Sequence, residues 1–442
     1  MGVDFVPDGR TFSRRSLLKR AAGVAGGAVA FPYFVPAAAL GKDGAVAPSK
    51  RITVGCVGLG NQGTGDMGIM LSLPDVQVVA VCDAYKSKRE NAQRIVNEHY
   101  QGEGCAAYHD FRELVARKDI DVVQIATNDH WHVLVALAAV AAGKDLYHEK
   151  MMGLTIAEDK ALRAACRRHG TVFQFGTQQR SDARFRQAAE LALNGRLGKL
   201  HTVKVSAPSG WNERTEPTWS PAPVPEGFDY DLWLGPAPQK PYTANRCVSP
   251  KWPHISDYCI GYIGGWGIHH MDSAQWGLDE MGGPVEIEAS GVFPANDGLC
   301  DNPLNWDATM KYPNGVTLSF TSDGHSNWHG VRFEGDRGWV HADRSQIRAE
   351  PASMLQEKIG DNEIHLHVSD HHQADLIKAV KTRGRTVSNI EVAVKSDITC
   401  HLTYIAVQLG RKLRWDPEKE EFVNDPEANR LRTRAQRAPY II

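Results

Sequence analysis

From Arg51 onward, short apolar runs alternate with stretches of helical period. The apolar runs are rich in β-branched residues, as in ITVGCVGLG, VQVVAVCD and VVQIAT. The stretches between them, such as HVLVALAAVAAGK and AEDKALRAACRRHG, have helical periodicity and end in glycine or basic residues. Strands that alternate with helices indicate βαβ units, and continuous apolar runs indicate a parallel sheet buried on both faces. We therefore predict a doubly wound α/β domain of the Rossmann type over residues 51–177.

The pattern changes after Leu200. Residues 208–258 are rich in proline, tryptophan and aspartate, which is typical of a long irregular segment that carries binding residues. Alternating segments follow, and the Pro-Asn-Gly sequence at 313–315 indicates a hairpin between two of them. Together with two later helical stretches, they predict an α+β domain with a mainly antiparallel open sheet over residues 178–415. The remaining residues, 416–442, are expected to form a basic, solvated tail.

The first 39 residues differ from the rest of the chain. Arg14 and Arg15 precede a short apolar run rich in glycine and alanine, and the small residues Ala37–Ala39 follow it. This is the pattern of a twin-arginine export signal, with a linker over residues 40–50. An uncleaved membrane anchor is the alternative, but the run is shorter than the ~20 residues that span a bilayer. We expect a periplasmic or otherwise exported protein with no membrane association once the signal is removed.

Composition narrows the class of partner. The chain has 442 residues, of which 42% are hydrophobic and 23% charged, so it is neither fibrous nor disordered. Its 50 basic and 52 acidic residues nearly cancel, and no overall field points to nucleic acid or to an anionic membrane. Eight scattered cysteines form no CxxC pair, so we expect buried apolar thiols rather than a zinc motif or a disulfide scaffold.

A dinucleotide fingerprint directly follows the first apolar run. Gly58 permits a tight turn, Gly60 lets the backbone approach a pyrophosphate, and Gly63 allows close packing of the helix that follows. Asp83 ends the second apolar run, where a carboxylate accepts hydrogen bonds from the ribose hydroxyls of NAD. The same carboxylate would repel a 2′-phosphate, so we expect NAD, with NADP kept open by the basic residues after Asp83. The further candidates here are Asn61, Gln62 and Arg89.

A cluster of polar residues follows each of the next three apolar runs, which are predicted strands of the sheet. Carboxyl ends of parallel strands are where ligands bind in this architecture, so the clusters are expected to converge on the nicotinamide. Their candidate cofactor-binding residues are Thr127, Asn128, His130, His132, Glu149, Lys150 and Gln178.

With the fingerprint, these clusters make the chain resemble the Gfo/Idh/MocA family, named for glucose-fructose oxidoreductase and inositol dehydrogenase, over nearly all of its length beyond the signal. The family has a Glu-Lys-Pro motif whose lysine lies beside the reacting hydroxyl; Glu149 and Lys150 match it, and Met151 replaces the proline. We expect that replacement to loosen the backbone. A second motif places an aspartate four residues before a catalytic histidine; His269 matches the histidine, and Gly265 replaces the aspartate.

The missing aspartate shifts the acid/base role to the histidines and their neighbours. The resemblance implies Lys150 and His269 as catalytic residues, with Asp272 pairing locally. The candidate substrate contacts are Arg180, Trp211, Tyr262, Trp266 and His270. A metal held by the histidine-rich stretches is the alternative, but the family does not need one and we expect none. An open sheet in the second domain is a face that relatives use to form oligomers, so a homo-oligomer is expected.

The resemblance implies an NAD(P)-dependent oxidoreductase that acts on a hydroxyl of a sugar or glycoside. Since the periplasm has no dependable pool of free NAD, an exported enzyme is expected to hold its cofactor tightly and to regenerate it with a second substrate or the same one. The alternative is an NAD-dependent glycoside hydrolase or lyase that oxidises C3 transiently and eliminates the aglycone. A non-enzymatic sugar-binding protein that keeps NAD as part of its fold is a third hypothesis, which the presence of Lys150 and His269 opposes.

Overall fold

The computed structural model describes residues 46–209, 220–248, 251–278, 282–294, 298–322 and 329–442. Contacts divide the chain into two units, residues 1–50 and residues 51–442. In the first unit, the described residues include a 3-10 turn at Pro48–Lys50. The predicted signal at 1–39 and most of the linker lie outside the described residues. The second unit, residues 51–442, contains two sheets.

The first half of that unit is built on a parallel sheet. Its strands are Ile52–Val57 (β1), Val76–Cys82 (β2), Ala106–Tyr108 (β3), Val122–Ile125 (β4), Asp145–His148 (β5) and Phe173–Phe175 (β6). Their order is β3-β2-β1-β4-β5-β6, and every neighbouring pair is parallel. The order reverses between β1 and β4, which is the crevice where ligands bind in open α/β sheets. The predicted doubly wound sheet is confirmed.

Helices cover both faces of this sheet. They are Asn61–Ser72 (α1), Lys86–Tyr100 (α2), Phe111–Val115 (α3), Asp129–Ala141 (α4) and Ile156–His169 (α5). Helix α5 shows why its residues form a helix: the Thr155 hydroxyl accepts from the backbone N–H of Glu158, and Gly170 ends the helix at φ 64°.

The second half contains a nine-stranded sheet. Its strands are Leu200–Ala207 (β7), Glu286–Val292 (β8), Asn305–Lys311 (β9), Thr317–Ser322 (β10), Gly330–Gly335 (β11), Gly338–Ala342 (β12), Ile347–Glu350 (β13), Leu413–Asp416 (β14) and Glu421–Phe422 (β15). The order is β13-β12-β11-β7-β10-β9-β8-β14-β15. Strands β7 and β10 are parallel and the other pairs antiparallel, as predicted. The predicted hairpin joins β9 to β10, with Gly315 at φ 88°.

The helices of this half are Ala183–Leu193 (α6), Tyr230–Leu234 (α7), Tyr262–Gly265 (α8), Gly267–Gly277 (α9), His372–Thr382 (α10), Ile390–Leu409 (α11) and Pro426–Arg430 (α12). Short 3-10 helices lie at Gln178–Ser181, Trp252–His254 and Ala352–Gln356. Every residue of α9 is buried, and most of α11 is buried beside it. Among the described residues, we find no helix with the length and apolarity needed to cross a bilayer. All eight cysteines are buried, as expected.

The tail at 416–442 is not solvated throughout, contrary to the sequence-based expectation. The Phe422 ring is 1% exposed and packs edge-on to Trp415, with 5.0 Å between ring centroids. The Arg437 guanidinium donates to the Gly235 carbonyl at 2.9 Å and to the Asp231 carboxylate at 2.7 Å. Ala428 is also fully buried, and the Tyr440 ring lies 5.1 Å from that of Trp131. The tail is mostly charged in sequence, so these few apolar contacts and the carbonyl partner of Arg437 were not apparent from the pattern.

Candidate active site

A cavity of about 920 Å³ opens at the reversal of strand order, at the carboxyl ends of β1, β2 and β4. Residues named from the sequence supply much of its lining: Gly58, Gly60, Asn61, Gln62, Asp83, Thr127 and Asn128. The irregular segment contributes the opposite wall with Trp233, Val248 and Trp252. That segment is fixed to the Rossmann half by the stacked rings of Tyr85 and Phe228, whose centroids are 3.6 Å apart.

The three glycines of the fingerprint have the geometry that a dinucleotide needs. Gly58 has φ 85°, and a Cβ there would lie 2.5 Å from the backbone of Ala126. A Cβ on Gly60 would meet nothing within 4 Å, so its backbone faces the open cavity. A Cβ on Gly63 would collide with the Gly58 carbonyl, because α1 packs directly on the turn. Gly60 therefore keeps the cavity clear for a phosphate, whereas Gly58 and Gly63 shape the turn.

The Asp83 carboxylate faces the cavity from the end of β2. Its Oδ2 accepts from the Leu59 N–H at 2.8 Å and its Oδ1 from the Tyr85 N–H at 2.8 Å. These bonds fix the carboxylate and leave lone pairs for ribose hydroxyls. Arg89 does not line the cavity, contrary to the sequence-based expectation; its Nη1 donates to the Asp83 carbonyl at 3.2 Å. Lys88 lines the cavity instead, with its amino group 4.4 Å from the Tyr85 ring centroid.

The polar cluster after β4 divides into two pairs. Thr127 and Asn128 line the cavity, and the Thr127 hydroxyl is buried with no partner in the protein, so it is available to a ligand. His130 and His132 do not line it, contrary to expectation. His130 Nε2 lies 3.0 Å from the Trp233 carbonyl, and His132 Nδ1 lies 2.6 Å from the Met151 carbonyl. Burial lowers the pKa of each histidine to about 4, so both are neutral and hold backbone segments together.

Glu149 lies beneath the site in a buried polar network rather than on the cavity wall. Its Oε1 accepts from Gln178 Nε2 at 3.1 Å, and its Oε2 accepts from the Lys150 N–H at 3.2 Å. It also shares a hydrogen bond with Asp66 of α1, and burial followed by the Glu149 charge raises the pKa of Asp66 to about 8. Two carboxyl groups this close share a proton, so Asp66 and Glu149 together carry less negative charge than two ionised carboxylates would.

Lys150 and His269 come together although 119 positions separate them. Lys150 follows β5, is half-buried, and donates from Nζ to the Gly265 carbonyl at 3.0 Å. His269 is in the first turn of α9, and its Nδ1 is buried without a hydrogen-bond partner. Burial, with the Lys150 charge as the next cause, holds the pKa of His269 well below its usual range. The pair therefore combines the Lys150 amino group with a neutral imidazole whose Nδ1 has no partner; the lowered pKa keeps the ring neutral and also makes it a weaker base than a free histidine.

The two departures from the family motifs have different structural outcomes. Met151 packs into the core in place of the proline: its side chain is fully buried, and a Cβ on Gly264 would lie 2.5 Å from its Sδ. Gly265 leaves open space beside Lys150, because the nearest atom to a Cβ there is Tyr262 Cδ1 at 3.8 Å. In this chain a backbone carbonyl, rather than an aspartate, therefore positions the lysine.

Trp266 lies beside His269, and Tyr262 lies beside Gly265, 3.8 Å from a Cβ placed there; both stay predicted substrate contacts. Trp266 is half-buried, its ring centroid lies 5.8 Å from that of His269, and the exposed Arg344 guanidinium lies 4.7 Å from its centroid. The exposed His329 ring approaches Trp266 at 6.4 Å. Sequence reasoning missed Arg344 and His329, because His329 directly precedes β11 and Arg344 follows β12, and only the second sheet brings these positions close to Trp266.

Two substrate candidates have structural partners instead. Arg180 is 3% exposed and forms a bidentate ion pair with Asp272, with Nε–Oδ2 at 2.7 Å and Nη2–Oδ1 at 2.9 Å. His270 is fully buried, and its Nδ1 lies 3.1 Å from Gln179 Nε2. Adjacent residues on a helix point in different directions, so α9 turns His270 into the core. Trp211 lies outside the described residues.

Comparison with known proteins identifies the family. The model of the Gfo/Idh/MocA oxidoreductase family for the NAD-binding Rossmann fold matches residues 52–177. The model for the C-terminal alpha/beta domain of the oxidoreductase family matches residues 182–442. The chain belongs to the Gfo/Idh/MocA oxidoreductase family. This oxidoreductase therefore has a nicotinamide-cofactor domain, and the resemblance inferred from its motifs is confirmed.

Curated relatives match only part of this oxidoreductase. A protein named "Glycosyl hydrolase family 109 protein" from Saccharopolyspora erythraea is 31% identical over 160 residues, covering 33% of this chain and 35% of the relative. The "Uncharacterized oxidoreductase YrbE" of Bacillus subtilis is 26% identical over 159 residues, covering 36% of this chain and 45% of the relative. The chain thus spans between about a third and a half of these relatives.

Solved structures share the fold over most of the chain. An aldose-aldose oxidoreductase from Caulobacter crescentus, complexed with glycerol, aligns with a TM-score of 0.63 at 19% identity and covers 82% of this chain and 99% of its own. The WlbA dehydrogenase from Bordetella pertussis, in complex with NADH and UDP-GlcNAcA, aligns with a TM-score of 0.62 at 15% identity and covers 83% and 99%. At these identities the likeness shows the common fold.

Proposed function

We propose that this oxidoreductase transfers a hydride between a hydroxyl-bearing carbon of a sugar or glycoside and a tightly held NAD. The observation that carries the proposal is the placement of Lys150 beside His269, with the Gly265 carbonyl anchoring the lysine. A bound nicotinamide supplies the hydride acceptor. The neutral His269 takes the hydroxyl proton, and the Lys150 ammonium stabilises the oxygen as negative charge develops on it.

The cavity chemistry favours NAD over NADP. Asp83 presents a fixed carboxylate where the ribose hydroxyls are expected, and a 2′-phosphate there would meet like charge. The Arg89 guanidinium donates to the Asp83 carbonyl, so Lys88 is the basic residue after Asp83 that lines the cavity. We expect the Asp83→Ser variant to narrow the preference for NAD, measured as the ratio of dissociation constants for the two cofactors.

Export with a retained cofactor remains part of the proposal. The twin-arginine pattern of residues 1–39 implies a location in which free NAD is not replenished, so the hydride must return to a second substrate or to the same one. The experiment is to purify the exported protein, denature it, and identify and count the nucleotide released. About one NAD(H) per chain supports the proposal; an empty site that binds NAD reversibly contradicts cofactor retention.

Replacing the lysine tests its role. We expect Lys150→Ala to abolish turnover of sugars and glycosides while nucleotide content stays near that of the wild type, because Lys150 does not line the nucleotide cavity. The exposed Lys118 provides the matched control, and Lys118→Ala is expected to retain activity. Unchanged turnover in Lys150→Ala would contradict the assignment.

The second candidate function is glycoside cleavage by transient oxidation at C3, favoured by the similarity to glycosyl hydrolase family 109 proteins. Oxidation acidifies the C2–H bond; a base removes that proton, the C1–O bond breaks, and the aglycone leaves with a proton. Water then adds and the hydride returns to C3. The unpartnered Nδ1 of His269 is the position from which such a base would act. The test is to incubate the enzyme with a glycoside in deuterated water and to analyse the sugar released. Deuterium at C2, with no net formation of NADH, identifies this route. Accumulation of a keto sugar identifies simple oxidation.

We also propose a homo-oligomer formed through one face of the nine-stranded sheet. Strand β9 alternates buried residues with the exposed Asp307, Thr309 and Lys311, so its outer face is polar and available in a single chain. The expected result is a molar mass by light scattering that is a multiple of the chain mass. Reversing the charges of Asp307 and Lys311 together should then dissociate the assembly if this face forms the interface.

A further inference from the structure

A cluster of ionisable side chains lies in the core between α5 of the Rossmann half and α11 of the second half. Asp159 is on α5, and Asp397 and His401 are one turn apart on α11. Asp159 and Asp397 are fully buried, and His401 is 3% exposed. One ligand-type atom of each residue lies within 4.8 Å of the other two. The nucleotide cavity and the Lys150–His269 pair do not use these three side chains.

Most polar atoms of the cluster have no partner. Nε2 of His401 is buried without a hydrogen bond, and so are both oxygens of Asp159 and Oδ1 of Asp397 unless the two carboxyl groups share a proton with each other. Oδ2 of Asp397 accepts a long bond of 3.4 Å from the Gly153 N–H. The Arg163 guanidinium acts on the Asp159 charge but is engaged with Glu420 at 2.7 Å. Buried carboxylates without a paired cation are costly, so the cluster requires a proton or a cation.

The imidazole and the spacing favour a metal cation. His401 Nε2 lies 3.6 Å from Asp159 Oδ2 and 3.5 Å from Asp397 Oδ2. A tetrahedral ion with bonds of 2.0–2.1 Å separates its ligands by about 3.4 Å, whereas an octahedral one separates neighbouring ligands by about 2.9 Å. Imidazole and carboxylate ligands suit zinc, and the unpartnered Nε2 of His401 points at both carboxylates. We propose that Asp159, Asp397 and His401 bind one zinc ion at a structural site.

Such an ion would connect the two halves beneath the catalytic lysine. Asp397 bonds the backbone of Gly153, which lies three positions after Lys150. A Cβ on Gly153 would lie 2.7 Å from Asp159 Oδ1, so this loop fits closely over the cluster. The ion neutralises the carboxylates and fixes the loop, and it contacts no reacting atom. The site is independent of the proposed sugar chemistry.

The test begins with the full exported chain, purified without added metal or chelator. Elemental analysis is expected to give about one zinc per chain. Dialysis against a chelator should lower the unfolding midpoint by several degrees, and zinc but not magnesium should restore it. Cobalt added to the stripped protein should give the intense d–d absorption of a tetrahedral site. No zinc, no shift of the midpoint and no cobalt spectrum would overturn the proposal and indicate a proton shared by the two carboxylates.

Variants separate this site from adventitious binding. We expect the double variant Asp397→Asn with His401→Gln to lose the zinc and to become insensitive to the chelator. His169 is exposed on the same α5, and His169→Gln is the matched control that should keep both properties. Zinc retained at one per chain by the double variant would place the ion elsewhere and refute the site. If the double variant does not fold, the wild-type measurements still decide the proposal.

Discussion

Removing one charge of the buried Arg180–Asp272 pair should cost much of the stability of this protein. The side chains are 3% and 1% exposed and share two charged hydrogen bonds, and the Ser396 hydroxyl donates to Asp272 at 2.7 Å. In Asp272→Asn the Arg180 guanidinium stays buried without a counter-charge. Breaking a buried pair in this way costs about 3–5 kcal/mol, out of a total free energy of unfolding of about 5–15 kcal/mol.

The assay is urea unfolding monitored by both fluorescence and circular dichroism. Coincident transitions in the two signals allow a free energy of unfolding to be calculated from a two-state model. We expect Asp272→Asn and Arg180→Met to lower the free energy of unfolding by about 3–5 kcal/mol each. The double replacement Arg180→Met with Asp272→Leu should recover most of that loss, because no buried charge is left unpaired. The exposed pair Arg94–Glu98, at 2.8 Å, is the control, and Glu98→Gln should cost less than about 1 kcal/mol.

The same variants separate a structural arginine from a substrate-binding one. If Arg180 contacted substrate, Arg180→Met would raise KM while the free energy of unfolding changed by less than about 1 kcal/mol. That result, or a double variant no more stable than the single ones, would refute the reasoning from burial.

Three further expectations concern the two sites. Gly60→Val should fold normally and weaken NAD binding at least tenfold by fluorescence titration, whereas Gly68→Val, at a position equally open, should bind NAD as the wild type does. The pKa of Asp66 is raised from 3.8 to about 8, so between these pH values the folded state holds a proton that the unfolded state releases. The free energy of unfolding should therefore fall as the pH rises from about 4 to about 8. Asp66→Asn should flatten this dependence of the unfolding free energy on pH, measured by urea unfolding at several pH values. Gly265→Asp should be accommodated without loss of stability, because the nearest side-chain atom to a Cβ there is 3.8 Å away. The new carboxylate would lie near Lys150 and should shift the pH–rate profile. An unchanged profile would argue against that placement.

The sequence by itself determined the Rossmann half almost completely. Strand runs, the glycine fingerprint and Asp83 are local patterns that predict a doubly wound parallel sheet, whereas the strand order β3-β2-β1-β4-β5-β6 comes from the structure. The motif around Lys150 also identified the family, which the two family models confirm. The hairpin at 313–315 was predictable because its turn residues select its geometry.

The partner of each polar side chain was decided only by the tertiary structure. His130, His132, Arg180 and His270 look like ligands in the sequence, yet each is buried and has a hydrogen-bond partner more than 15 positions away. His130 Nδ1 and His270 Nε2 are buried without a partner. A one-dimensional pattern does not contain those distances, since they arise only when α4 packs against Trp233 and Met151 and when α9 packs against the 3-10 helix Gln178–Ser181. Burial then sets the charge state, and with it which polar residues remain available for chemistry.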